Sequence, residues 1–131
     1  MIGRISFWLF CMVTDLLVPV SMLWIGRKFL VNPPKTINGG YGYRTARSMR
    51  NQQTWDFAHQ VCGQLWVKTG KWMVLPSALA MLVVIGQDID VVGIVCGVVA
   101  SVQCVVMLGT ICPVEQALKR NFDRFGRKIN P

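Results

Sequence analysis

The sequence predicts an all-α integral membrane bundle of three transmembrane helices, with a cytoplasmic amphipathic helix before the second span and a short amphipathic C-terminal tail. Three observations predict it. Of 131 residues, 53% are hydrophobic and only 15% charged, too apolar for an ordinary soluble chain of this length. The apolar residues are clustered: Ile5 to Ile25 holds the single charge Asp15, while Trp72 to Gly86 and Val91 to Val114 hold none. All basic residues but Arg4 lie between the first two runs or after the third, whereas the short link between the second and third carries Gln87, Asp88 and Asp90.

A hydrocarbon core of ~30 Å takes about 20 apolar residues per helix, so the first and third runs suffice and the second leans on its flanks. The expected spans are about 5–26, 71–87 and 90–114, around an island at 27–70 and ahead of a tail at 115–131, all in a single domain. Lys and Arg gather on the cytoplasmic side of membrane proteins. That rule puts the N-terminus outside, the island and tail inside, and leaves Arg4 as the one base on the wrong side. Topology thereby accounts for most of the net charge of +8, and nucleic acid is not an expected partner.

In the first span Asp15 falls near mid-membrane, where a carboxylate is either protonated or hydrogen-bonded inside the bundle. Pro19 removes a backbone donor four residues on. Arg4 followed by an apolar run resembles a signal peptide, but no small-x-small cleavage site follows, so a retained span is expected.

Asn32-Pro33-Pro34 ends any helix. The island that follows combines Asn38, Gly39, Gly40 and Gly42 with Tyr41, Tyr43, Arg44, Thr45, Arg47, Ser48 and Arg50. Its glycines lack both a preceding strand and a Lys-Ser pair, so they make no phosphate loop of the nucleotide-binding kind. The arginines recur every three residues and suit either anionic lipid headgroups or a partner that guanidinium forks can recognise. Thr54 is the expected cap of an amphipathic helix with Trp55, Ala58, Val61, Cys62, Leu65 and Trp66 on one face and Asp56, His59, Gln60, Gln64 and Lys68 on the other. Thr69-Gly70 offers a break before the second span, which, being short, can instead begin within the amphipathic stretch, and Pro76 offers a kink within it.

In the third span Gly93, Gly97 and Ser101 form a small-residue stripe that lets another helix approach, either the first span or a second copy in a homo-oligomer. Gln103 lies at the depth of Asp15, and a hydrogen bond between the two is expected. Glu115, the only acid at the inner boundary, is placed to pair with an arginine of the island. Leu118, Phe122 and Phe125 define one face of the tail, which should stay helical to Gly126. Five cysteines, an odd number, give no disulfide framework and read as apolar filler. No nucleophile with its base, no metal cluster and no cofactor motif stands out, so neither catalysis nor a metal is expected.

Pro33-Pro34-Lys35, Ile37-Asn38, Gly42-Tyr43-Arg44-Thr45, Ser48-Met49, Trp55 and Ala58, with Glu115, Leu118-Lys119, Phe122-Asp123 and Gly126, resemble the signature of the SdpI family of small bacterial membrane proteins. His59 stands where that family commonly has asparagine, and Val114 where it has threonine. The resemblance implies a plasma-membrane protein of a family whose best-known member gives immunity against a membrane-active peptide toxin and signals through a cytosolic regulator, so protection against, or sensing of, such a toxin is the expected role. It makes Asn38, Gly42, Tyr43, Arg44, Thr45, Ser48 and Trp55 the candidate binding residues. A small transporter or channel built on Asp15 and Gln103 is the alternative expectation.

Overall fold

A computed structural model describes residues 2–129. They form four helices: α1 (Ile2–Val31), α2 (Gln52–Val83), α3 (Ile89–Gly109) and α4 (Ile111–Asn121), with no strand among the described residues beyond an isolated bridge between Phe122 and Lys128. Ile2–Val31 and Ile89–Asn121 are long and apolar enough to cross a membrane. Only 28% and 11% of their most apolar stretches are buried, whereas the core helix of a soluble protein would be mostly covered.

The chain packs as two compact units, and α1 and α2 each contribute to both. The apolar unit comprises the stretch ending at Leu23 together with Lys68–Leu108; the basic unit comprises Trp24–Val67 together with the stretch from Gly109 onward. Charge divides along the same line. The apolar unit has three Lys/Arg against three Asp/Glu, the basic unit eleven against three, so the basic unit carries the whole +8.

In the apolar unit, Cys11, Met81, Val84 and Val92 are buried together under Phe7, Trp8 and Met12. Trp8 Nε1 donates to the Met81 carbonyl at 2.7 Å, at the C-terminal end of α2 where helical acceptors run out of donors. Arg4 pairs with Asp88 at 2.9 Å, so the start of α1 and the α2–α3 turn share one end of this unit. Gly70 does not break α2. A Cβ there would lie 2.8 Å from the Pro19 carbonyl oxygen, so the glycine lets α2 press against α1, and the amphipathic stretch runs on into the second apolar run as one helix, the continuity that the sequence leaves open.

In the basic unit, Phe29, Ala58, Cys62, Val114, Leu118 and Phe122 form the core. Gly26 and Gly63 bring α1 and α2 together: a Cβ on Gly63 would lie 2.9 Å from the Gly26 carbonyl oxygen. The cap of α2 also differs from expectation. Asn51 Oδ1 accepts the Thr54 N–H at 2.9 Å and Thr54 Oγ1 accepts the Asn51 N–H at 3.0 Å, a reciprocal box with Asn51 as the cap.

The expected third span is interrupted. Pro113 has no N–H for the Gly109 carbonyl and its ring crowds that carbonyl, so α3 stops at Gly109. In the first turn of α4 the missing donor costs nothing. Val114 and Glu115 therefore belong to α4 and the basic unit. The tail helix also stops early, at Asn121, where Phe122 turns extended and Asp123 collects the N–H groups of Phe125 and Arg127, both at 2.9 Å. Phe125 leaves the expected apolar face and is 57% exposed.

Candidate functional site

The island folds into a fixed shape on the first turns of α2. Four hydrogen bonds set its course: Trp55 Nε1 donates to the Pro34 carbonyl at 2.7 Å, Gln52 Nε2 to that of Lys35 at 2.7 Å, Thr54 Oγ1 to that of Ser48 at 3.0 Å, and the Tyr43 N–H to His59 Nε2 at 2.9 Å. Asn38 builds the turn at the tip, accepting the N–H groups of Gly40 and Tyr41 at 2.9 and 2.7 Å. Ser48, fully buried, ties the next turn: its hydroxyl lies 2.9 Å from the Tyr43 carbonyl and accepts the Thr45 N–H at 2.8 Å.

Gly42 makes the close approach possible. Its φ is +123°, and a Cβ there would sit 2.6 Å from His59 Nε2 and 3.0 Å from the Trp55 ring. Both the backbone conformation and the space demand glycine.

Glu115 of α4 closes the site. Its Oε2 accepts the Tyr43 hydroxyl at 2.7 Å and the Thr45 hydroxyl at 3.1 Å. The expected partner, an island arginine, is not used: Arg44 is exposed and forms no ion pair among the described residues. Neutral hydroxyls satisfy a half-buried carboxylate without drawing a guanidinium out of water, and Arg44 and Arg50 stay exposed. Burial, with the Glu115 hydrogen bond, raises the Tyr43 hydroxyl well above the ordinary phenol range and fixes it as a donor.

His59 is the site residue that sequence reasoning placed on the wrong face. It is fully buried, with Phe29 edge-on at 4.8 Å and the Trp55 ring at 4.4 Å. Its tautomer follows from its partners. Nε2 accepts the Tyr43 N–H, so Nδ1 carries the proton and donates to the Trp55 carbonyl at 2.7 Å. Burial lowers its pKa and favours this neutral form. The available signal was spacing: 55, 58, 59 and 62 are one continuous helical stripe, and the polarity of histidine hid the third member. Next on that stripe, the Cys62 thiol is pushed up to about 12 by burial, which suits apolar filler.

In the apolar unit, Asp15 and Gln103 do meet, but not through the carboxylate. Gln103 Nε2 donates to the Asp15 main-chain carbonyl at 2.6 Å and to Ser77 Oγ at 2.7 Å. The Asp15 carboxylate takes the Cys96 thiol at 3.6 Å through Oδ1, while its Oδ2 and Gln103 Oε1 are buried without partners. Of the small-residue stripe, Gly93 lies against Phe7, Gly97 faces open space, and Ser101 is exposed with its hydroxyl on the Gly97 carbonyl at 2.7 Å.

An all-helical chain with two membrane-length apolar helices and a folded polar island is consistent with a small membrane protein. Residues 35–114, more than half of the chain, match the SdpI/YfhL protein family, and the chain belongs to that family. It is similar to a protein of Bacillus subtilis (strain 168), "Uncharacterized protein YfhL", at 47% identity over 38 residues, 29% of this chain. That similarity spans about a third (34%) of the relative's length. No solved structure matches.

Proposed function

We propose that this is a non-enzymatic, three-span protein of the bacterial plasma membrane that guards against, or senses, a membrane-active peptide toxin, with the basic island as its cytoplasmic surface for a regulator. Family membership supports the protective role. The observation that carries the reading is the folded island: Tyr43 and Thr45 on Glu115, with Tyr43 also on His59, leave Arg44, Met49 and Arg50 exposed on a fixed backbone. A segment that only joined two spans would need neither a buried histidine nor a buried serine.

Exposure of Trp72, Leu75, Leu79 and Leu82 supports a lipid-facing second half of α2 as the second of the three spans. The Arg4–Asp88 pair supports an N-terminus on the side of the acidic turn, opposite the basic segments under the positive-inside rule. Deleting the gene and challenging cells with a panel of membrane-active peptides tests the role. Sensitisation that the native gene rescues and an Arg44→Glu gene does not is the expected result; unchanged survival across the panel rejects it.

A second reading, a small transporter or channel, is favoured by the two buried acceptors without partners, Asp15 Oδ2 and Gln103 Oε1. Proton or organic-cation flux in proteoliposomes that Asp15→Asn abolishes would support it, and flux indifferent to Asp15→Asn would remove it.

A further inference from the structure

Arg47 and Arg50 of the island and Arg124 of the C-terminal turn line one small pocket with Thr54, Leu118, Phe122 and Asp123. We propose that this cluster binds a phosphate group, whether free or on a lipid headgroup, independently of any role in toxin protection.

The argument rests on which charges are already satisfied. Among the described residues Asp123 is the only acid lining the pocket. Its Oδ1 accepts the N–H groups of Phe125 and Arg127, and its Oδ2 pairs with Arg127 Nε at 3.0 Å. Those bonds, the Arg127 N–H foremost, hold its carboxyl below the usual range, and its charge is already matched by Arg127. Arg47, Arg50 and Arg124 keep no anionic partner among the described residues. Gathering three cations around one pocket is unfavourable unless an anion joins them, and the guanidinium fork matches phosphate oxygens two at a time.

The stem of one arginine of the cluster is also held in place. Arg50 lies along the C-terminal turn, where a Cβ on Gly126 would sit 2.8 Å from its Cγ. Asn51 Nδ2 donates to the Gly126 carbonyl and locks that contact. The pocket's interior, about 10 Å³, holds no more than one water, so the phosphate rests at its mouth, within reach of the three arginine side chains that line it. Beside it, exposed Phe125 stands with the Arg124 and Arg127 guanidiniums at 4.9 and 5.2 Å from its ring. An apolar ring framed by cations suits the headgroup layer of an anionic bilayer.

The test uses the full chain purified in neutral detergent, with two probes: inorganic phosphate followed by calorimetry, and phosphatidylglycerol against phosphatidylcholine retained in native mass spectra. Arg47→Gln, Arg50→Gln and Arg124→Gln should each lower retention of the bound probe about tenfold, and Arg50→Lys, which keeps the charge but loses the fork, about threefold. The equally basic controls Arg120→Gln and Lys35→Gln should change it less than about twofold. Dependence on these arginines with phosphatidylglycerol alone assigns a headgroup; the same dependence with inorganic phosphate assigns a free phosphate. Binding of neither probe, or equal loss from cluster and control variants in proteins with unchanged helical melting, overturns the proposal.

Discussion

Gln103 donates to the main-chain carbonyl of Asp15, the carbonyl that Pro19 leaves without its helical donor. In a helix the N–H of residue 19 would close on the oxygen of residue 15, and proline has none to give. A side chain from α3 replaces the bond that α1 cannot make.

A double-mutant cycle follows from that replacement. Gln103→Leu should lower stability by about 1 kcal/mol, the size of a helix-to-helix hydrogen bond in a membrane bundle. In a Pro19→Ala background the helix supplies its own donor, and the same substitution should cost less. Thermal unfolding in detergent reads both; equal costs in the two backgrounds would disprove the link.

His59 sets an acid limit on the island. Histidine ordinarily titrates near 6.5, and burial lowers it in the folded protein. Below that value the unfolded chain binds a proton that the folded chain refuses. Stability is therefore complete above about 6.5 and declines as pH falls toward the folded value. A protonated ring would also turn Nε2 into a donor facing the Tyr43 N–H. Hydrogen exchange at the Tyr43 amide should accelerate between about pH 7 and about pH 5 beyond the intrinsic trend, and His59→Gln should abolish that excess.

Gly42 and Gly40 are neighbours with opposite expectations. Gly42→Ala must hold a left-handed backbone and push the His59 ring, and should cost about 2 kcal/mol or more. Gly40→Ala meets nothing nearer than Asn38 Oδ1 at 4.0 Å and should stay within about 0.5 kcal/mol. Limited proteolysis of the island compares the two directly.

Glu115 shares one oxygen between two hydroxyls. Tyr43→Phe and Thr45→Val should each cost about 1 kcal/mol, and the double variant more than their sum, because it strips the carboxylate of both donors. Additive losses in unfolding experiments would show that the two bonds act independently.

The glycines separate packing within a chain from packing between chains. Gly63→Ala and Gly70→Ala put a methyl group within 3 Å of α1 backbone oxygens and should destabilise the monomer. Gly97→Leu enters open space and should leave the monomer's melting unchanged. If the stripe joins two copies, Gly97→Leu shifts the protein toward monomer in analytical ultracentrifugation.

The apolar runs made the helical class legible, and equal depth in two runs brought Asp15 and Gln103 together. The atom used was not legible, because a proline-freed carbonyl outbids a carboxylate only once the helix is built. Of the group that the sequence singles out, Gly42, Tyr43, Thr45 and Ser48 lie against Trp55, His59, Thr54 or Glu115, while Asn38 only shapes the tip of the island and Arg44 stays exposed. What misled was treating residue type as location. Polarity points His59 toward water and charge points the arginines toward Glu115, yet buried partners of matching geometry and the cost of desolvating a guanidinium decide both. The sequence leaves open whether the helix breaks at Gly70 or runs through it, because glycine serves close helix contact as well as a break; the Pro19 carbonyl beside it decides for contact.

The division of charge, +8 in one unit and zero in the other, bears on how copies of this chain can meet. Under the proposed topology, an inverted molecule would carry its entire surplus to the outer face, against about 2.3 kcal/mol per charge for each 100 mV of membrane potential. Every molecule then enters the bilayer the same way up. Two copies sharing the Gly93–Gly97–Ser101 stripe can be related only by an axis along the membrane normal, with both arginine clusters on one side.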